Sequence, residues 1–196
     1  MKKVIFKKDT IKGYNKNGVY IEKGVLVRKG AVIYSGNIIL GDSEIGPSVL
    51  YPNNIIEASF IGDNCYIGPF ARLRPDTIIE DNCKIGNFVE IKKSRLGKGT
   101  KASHLAYIGD AKIGEGCNLG CGVVFCNYDG KQKHTTTIGN NVFIGSNVNF
   151  VAPLCIGDNV VIGAGSTITD DISNDTLAIA RERQVNKPLA GEDVKK

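Results

Sequence analysis

The chain repeats with a period of six residues, and a fixed short period constrains architecture before any local propensity does. Aliphatic or aromatic residues fall at 21, 27, 33, 39, 45 and 51, the ladder slips near Ile55 and Ile56, and it resumes at Ile61, Ile67, Leu73, Ile79, Ile85 and Ile91. It returns at 138, 144, 150, 156, 162 and 168. In the later blocks a Gly commonly follows (Gly62, Gly68, Gly86, Gly139, Gly145, Gly157, Gly163). A small or apolar residue sits four places on, at Cys65, Ala71, Thr77, Cys83, Val89, Val142, Val148 and Val160.

An amphipathic helix needs a spacing near 3.6 and an ordinary strand a sustained alternation of two. Neither fits, whereas short β segments that turn a corner every six residues do, with Gly supplying corner backbone that a side chain would crowd. Such segments stack coil on coil into an all-β solenoid with one continuous core. The pattern resembles the hexapeptide-repeat family, whose fold is a left-handed parallel β-helix of triangular section. By that resemblance three hexapeptides make a coil, and residues 18 apart lie on neighbouring coils, about 4.8 Å from one another. Residues 1–18 carry no clear repeat and are expected to cap the first coil, since an exposed stack end would pair with another chain. Residues 19–172 form the expected β-helix, roughly eight coils long. Residues 173–196 lose the period, end in the polar GEDVKK, and read as a C-terminal arm on the outside of the prism.

Composition agrees. A chain of 196 residues can bury a substantial core, and 24 Gly with no Trp suit narrow coils. The net charge of +5 is spread along the chain, which favours small anionic ligands over a dedicated nucleic-acid surface. The N-terminal MKKVIFKKDT has too short an apolar run for a signal peptide or membrane span, so a cytoplasmic protein is expected. The six cysteines contain no CxxC pair and only two histidines accompany them, which argues against disulfides or zinc. Cys65, Cys83 and Cys117 sit at the core-facing register, where a free thiol is a compact hydrophobe.

The repeat breaks between Asn87 and His134. Steps of five occur at Ile91 to Leu96 and Ile108 to Ile113, and the long interval from Leu119 to Ile138 holds Asn127, Tyr128, Asp129 and Gly130, a turn-rich loop that leaves the prism. Departures from a regular pattern tend to mark functional sites. These bracket His104, which has Lys92, Lys101, Tyr107 and Asn118 nearby in sequence and is a candidate general base. Arg74 and Lys92 are 18 apart and each follows a core residue, so they should stack and repel unless an anion lies between them. That makes a candidate phosphate clamp; two solvated cations that splay apart fit the same spacing. Arg72 and Glu90, also 18 apart, read either as an opposite-charge ladder or with Glu90 orienting a catalytic group.

Longer blocks now carry a specific resemblance. GPFARLRP (68–75), IGNFVEIKK (85–93), GTKASHLAYIGDAKIG (99–114), CNYDGKQKH (126–134), IGSNVNFVAP (144–153), IGAGSTIT (162–169) and LAIARERQ (177–184) are similar, in order, to the acetyltransferase half of the bifunctional N-acetylglucosamine-1-phosphate uridyltransferase/glucosamine-1-phosphate acetyltransferase family. The resemblance puts the catalytic histidine on His104 and sugar-phosphate contacts on Arg74, Lys92, Tyr107 and Asn118. Asn127 and Tyr128 would lie beside the acetyl group and the sugar, with Lys133 on the loop behind them. Acetyl-CoA contacts would fall on Cys121, Ser146, Ala164 and Arg181, the small Ser146 and Ala164 forming a groove and Arg181 meeting a CoA phosphate.

The implied chemistry is direct acetyl transfer from the thioester of acetyl-CoA to the amine of glucosamine 1-phosphate, a step of UDP-N-acetylglucosamine biosynthesis that needs no metal. His104 would take the amine proton, Glu90 would hold its second ring nitrogen, and backbone N–H groups or a side-chain amide near 118–121 would meet the oxyanion. The chain has no Gly-rich nucleotide loop near its start and no room for a separate α/β domain, so uridylyl transfer is expected of another enzyme. Cys121 stands where the family commonly has Ala; it reads as a tolerated small residue, with an acetyl-cysteine intermediate as the alternative. The resemblance also implies a homotrimer with sites at chain junctions. Three other readings stay open: an acyltransferase for another amino sugar or a hydroxyl, a zinc carbonic anhydrase, which would need three histidine ligands, and a non-catalytic β-helix that binds sugar phosphate or scaffolds an oligomer.

Overall fold

One side chain in each six-residue unit turns inward and is buried completely. Ile33, Ile39, Ile45, Leu50, Ile56, Ile61, Ile67, Leu73, Ile79 and Ile85 have no exposed surface, and the column continues through Ile91, Leu96, Ala102 and Ile108 to Phe125, Phe150 and Ile168. Each such burial contributes roughly 2 kcal/mol. The computed structural model describes residues 2–10 and 13–188, and the terminal GEDVKK expected to close an outer arm lies outside them.

The short strands pair in parallel with the coil above and below. One ladder set wraps two faces of the prism; the third face is an eight-stranded ladder that includes Leu26–Val27, Thr77–Ile79, Ala111–Ile113 and Leu154–Ile156. The result is a left-handed parallel β-helix of hexapeptide coils, about nine turns long. That exceeds the roughly eight expected because many coils fall short of three full hexapeptides and because the coil runs past residue 172. Leu177–Ala178 still pairs with Val161–Ile162, and irregular chain begins only after it.

Coil length varies in a way the six-residue count misses. Ile38 pairs with Ile55 and Ile55 with Arg72, each one position short of three hexapeptides, and the same short offset relates Lys84–Lys92 to Lys101–Gly109. Tyr66 pairs with Lys84 and Thr136 with Leu154 at the full three-hexapeptide step. The slip therefore starts before Ile55: Leu50, not residue 51, fills the core, and Tyr51 is 38% exposed and stacks on Tyr34. The longest interval is the one that pairs Ala111 with Thr136, because the segment 127–134 loops out of its coil.

The second, four-on positions are buried as expected, among them Cys65, Cys83 and Cys117. Most polar residues there bond to the coil backbone: the Thr77 hydroxyl donates to the Arg74 carbonyl at 2.7 Å, and Asn54 Nδ2 donates to the Tyr51 carbonyl at 2.6 Å as well as to Asn37 Oδ1, whereas the Thr136 hydroxyl is buried without a partner. At the N-terminus Lys3–Ile5 pairs antiparallel with Val32–Tyr34, Tyr14–Lys16 with Val19–Ile21, and Phe6 is buried beneath them. Among the described residues no helix is long and apolar enough to cross a membrane.

Corner glycines permit the close approach of coils. A Cβ on Gly86 would overlap the Ser103 carbonyl oxygen of the next coil, which neither backbone can yield. Gly86→Ala is expected to destabilise the fold by about 2–3 kcal/mol, read as a drop in denaturation midpoint; a midpoint equal to the parent would show that the coils can separate there.

Candidate functional site

Two nine-residue strands, Lys84–Lys92 and Lys101–Gly109, bend around one corner of the prism and carry most of the candidate residues. Asn87 pairs in register with His104, and the two side chains meet: His104 Nδ1 lies 2.9 Å from Asn87 Oδ1. A carbonyl oxygen accepts, so Nδ1 carries the proton and Nε2 is left as the basic nitrogen. The same column continues past His104. Lys101 pairs with Asn118 and Tyr107 with Val124, so the common offset brings Cys121 beneath His104, followed by Ser146 and Ala164. Ladder bonds from Asn147 to Cys121 and from Gly165 to Ser146, both 2.8 Å, hold that order. Arg181 ends the line, its Cδ passing beside Gly165, where it lines a groove of about 580 Å³ with Ile179, Glu182, Arg183 and Gln184.

Glu90 is not the partner of His104. The step from Ile91 to Leu96 takes one residue out of this coil, so Glu90 faces Tyr107, past the corner from His104, and Asn87 takes the position beside the ring. Glu90 pairs in register with Arg72 as expected, yet its carboxylate accepts from Arg74 Nη1 at 3.0 Å.

The face after that corner collects positive charge. Arg74 and Lys92 follow one another on adjacent coils, joined by the ladder bond from the Arg74 N–H to the Ile91 carbonyl. Lys133, on the loop, lies against Lys92; its ammonium group, then desolvation, hold the Lys92 amine below the usual lysine range, while Asp110 opposes them. Asp110 and Asn127 are both buried, and Asn127 Nδ2 donates to Asp110 Oδ2 at 2.5 Å. Gly109 leaves room for this group: a Cβ there would come within 2.6 Å of both Asn127 Nδ2 and Tyr107 Oη. Tyr107 and Asn127 therefore converge over Gly109, next to Lys92.

Asn118 stands apart from them, on the face before the corner between Lys101 and Phe143. Tyr128 is exposed, with its hydroxyl donated to the Gly130 carbonyl at 2.7 Å. The repeat count misses three residues: Asn87, Asp110 and Gly109. The signal for the first two is an offset of 17, from 87 to 104 and from 110 to 127, once the five-residue steps are counted as shortening whole coils.

The model for "Bacterial transferase hexapeptide (six repeats)" matches residues 58–93 and 135–170. The bifunctional protein GlmU of Thermoanaerobacter pseudethanolicus is 57% identical over 146 residues, covering 74% of this chain and 32% of that protein. GlmU of Clostridium kluyveri is 49% identical over 188 residues, covering 87% and 41%. The chain is a hexapeptide-repeat homologue of the C-terminal part of GlmU. It spans about a third to two-fifths of the length of these GlmU proteins. Among solved structures, UDP-N-acetylglucosamine acyltransferase from Bacteroides fragilis superposes with a TM-score of 0.59 at 18% identity, covering 82% of this chain and 69% of that one. Perosamine N-acetyltransferase from Caulobacter crescentus, in complex with CoA and GDP-perosamine, gives 0.52 at 18% identity and covers 65% and 66%. At that identity these two likenesses show the fold alone.

The cation cluster is testable without any reaction. Lys133→Ala should let the Lys92 amine titrate higher, toward an ordinary lysine, in a lysine-selective NMR titration; an unmoved Lys92 would mean that Lys133 is not its neighbour.

Proposed function

We propose that the chain transfers an acetyl group from acetyl-CoA to the amine of glucosamine 1-phosphate, giving N-acetylglucosamine 1-phosphate and free CoA. The observation that carries this reading is one corner of the prism with His104, its tautomer set by Asn87, on one side and Arg74, Lys92 and Lys133 on the other, Glu90 being paired with Arg74. An amine attacks a thioester only as the free base, and Nε2 of His104 is the group that takes its proton. Attack forms the C–N bond and a tetrahedral oxyanion; collapse breaks the C–S bond, and the CoA thiolate leaves and is protonated.

Arg74, Lys92 and Lys133 bind the sugar phosphate, with Tyr107 and Asn127 orienting the sugar. The backbone N–H groups of Asn118, Gly120 and Gly122 already donate to Val142, Ile144 and Leu105, so the oxyanion is met by the Cys121 N–H, beneath His104, or by the side-chain amide of Asn118. The thioester arm lies along Cys121, Ser146 and Ala164, all small, and Arg181 pairs with a CoA phosphate. Cys121 acts as a small residue of this groove.

The active assembly is a homotrimer. Asn118 lies across the corner from the cation cluster, so substrate held by one face needs a second chain to close the site. At that same corner Phe70, Phe88 and Leu105 hold left-handed backbone (φ 59°, 56° and 45°) and are 49%, 56% and 56% exposed, with the two Phe rings stacked at 5.6 Å. Bulky side chains in that conformation are strained, and an exposed apolar ridge of this kind is what a neighbouring copy covers.

Acceptor-dependent release of CoA, followed by mass detection, tests the assignment. His104→Ala should lower kcat by about 10²–10⁴-fold, and Asn87→Ala by roughly tenfold through loss of ring orientation. Equal turnover in His104→Ala and the parent would remove His104 as the base. Phe88→Asp should give monomers in sedimentation and lose turnover with them; an active monomer would refute the shared site.

A further inference from the structure

We propose that His134 and Asp129 form a positioning clamp that holds the hairpin 127–134 closed and so keeps Lys133 against Lys92, making the affinity for an anionic substrate group a property of the hairpin as well as of the prism. The inference rests on the functional reading above and adds to it a residue pair that neither the repeat nor the cation columns require.

The hairpin is anchored at its root and tied at its tip. At the root the His134 N–H donates to the Asn127 carbonyl at 2.8 Å, and Asn127 is itself fixed by the buried Asp110. One rung further out Tyr128 bridges Lys133 antiparallel, and the Asp129 N–H donates to the Gln132 carbonyl at 3.2 Å. Gly130 takes the first central position of the turn with φ of 94°, where a side chain would be strained. The Asp129 carboxylate then gathers the ends. Its Oδ1 accepts the N–H groups of Lys131 at 2.7 Å and Gln132 at 2.8 Å, and its Oδ2 accepts from His134 Nε2 at 2.7 Å.

This arrangement answers a question that the cation cluster raises. Two ammonium groups repel, and Lys133 hangs on a loop with nothing of the coil ladder to restrain it. Left to itself such an excursion would swing its charge into solvent. The bonds from Asp129 link the turn to the segment that carries Lys133, because His134 is its next neighbour, and the side chain of His134 is only 23% exposed. The carboxylate stays ionised throughout the useful pH range: the Gln132 N–H, the His134 ring and the Lys131 N–H hold it down to about 2. His134 touches neither the amine nor the thioester in this reading; it acts through Lys133 and is a positioning residue.

The test uses the full chain and two variants, His134→Ala and His134→Gln, the latter keeping an N–H donor of similar reach. The first readout is the Lys92 titration by lysine-selective NMR, assigned with Lys92→Arg. In His134→Ala the Lys92 amine should move up, as in Lys133→Ala, and in His134→Gln it should stay near the parent. The second readout is kinetic: His134→Ala should raise KM for glucosamine 1-phosphate about tenfold with kcat and KM for acetyl-CoA held, and His134→Gln should recover it. A Lys92 titration that His134→Ala leaves at its parent position overturns the clamp, whatever the kinetics. If the parent chain fails to turn over glucosamine 1-phosphate, the functional reading falls, and the Lys92 titration still decides the clamp.

Discussion

Every side chain here is placed by how much chain is used to go once around the prism. Each coil is hydrogen-bonded above and below and shares one core column, so a coil cannot be lengthened or shortened without shifting all that follow it. The shortened coil puts Asn87 beside His104; a coil of three full hexapeptides would have put Gly86 there, with no side chain to fix the ring. The tautomer of the proposed base is thus a consequence of coil length. Because the columns are held by the whole ladder, the base and its partner need no further support.

How much of this can be read in advance follows from the same constraint. The period of six with its Gly corners determines the fold, since no other element tolerates it, and the pairs Arg74/Lys92 and Ser146/Ala164 lie in coils that keep three full hexapeptides. The implied chemistry assigns Glu90 to the second ring nitrogen of His104, and the structure turns it to Arg74 because the corner lies between residues 87 and 90. Leu50 and Tyr51 are confused for a related reason: both are apolar, and only the pairing offset tells which one turns inward. The hairpin is legible as a loop but not as a structure. Its bonds run from a carboxylate to two backbone N–H groups and one ring, and no periodicity encodes such an arrangement.

The site draws on two parts of the molecule, the coil ladder and the hairpin that leaves it. Arg74, Lys92, Tyr107 and His104 stand on or beside ladder strands, whereas Lys133 stands on the one long excursion from the coils. On the proposed reading, placement on the ladder suits a base that meets an amine at a fixed distance, and the clamped hairpin brings a further cation to the phosphate. The Lys133 ammonium group beside Lys92 holds the Lys92 amine below the usual lysine range.

Column geometry also limits what can lie along the corner. Three coil steps separate His104 from Ala164, which at about 4.8 Å each is roughly 14 Å, and Arg181 stands beyond them near Gly165. A co-substrate that presents its reacting carbonyl to the base and a negative group to Arg181 must therefore be a long, thin chain with the anion at its far end. Large side chains at 121, 146 or 164 would lift such a chain off the prism, and Cys, Ser and Ala are the residues found there. On the proposed reading the sulfur of Cys121 lies nearest the thioester, between His104 and the small Ser146 and Ala164 of the same column. On the proposed reading the column that begins at His104 is thus a track whose length fits the donor.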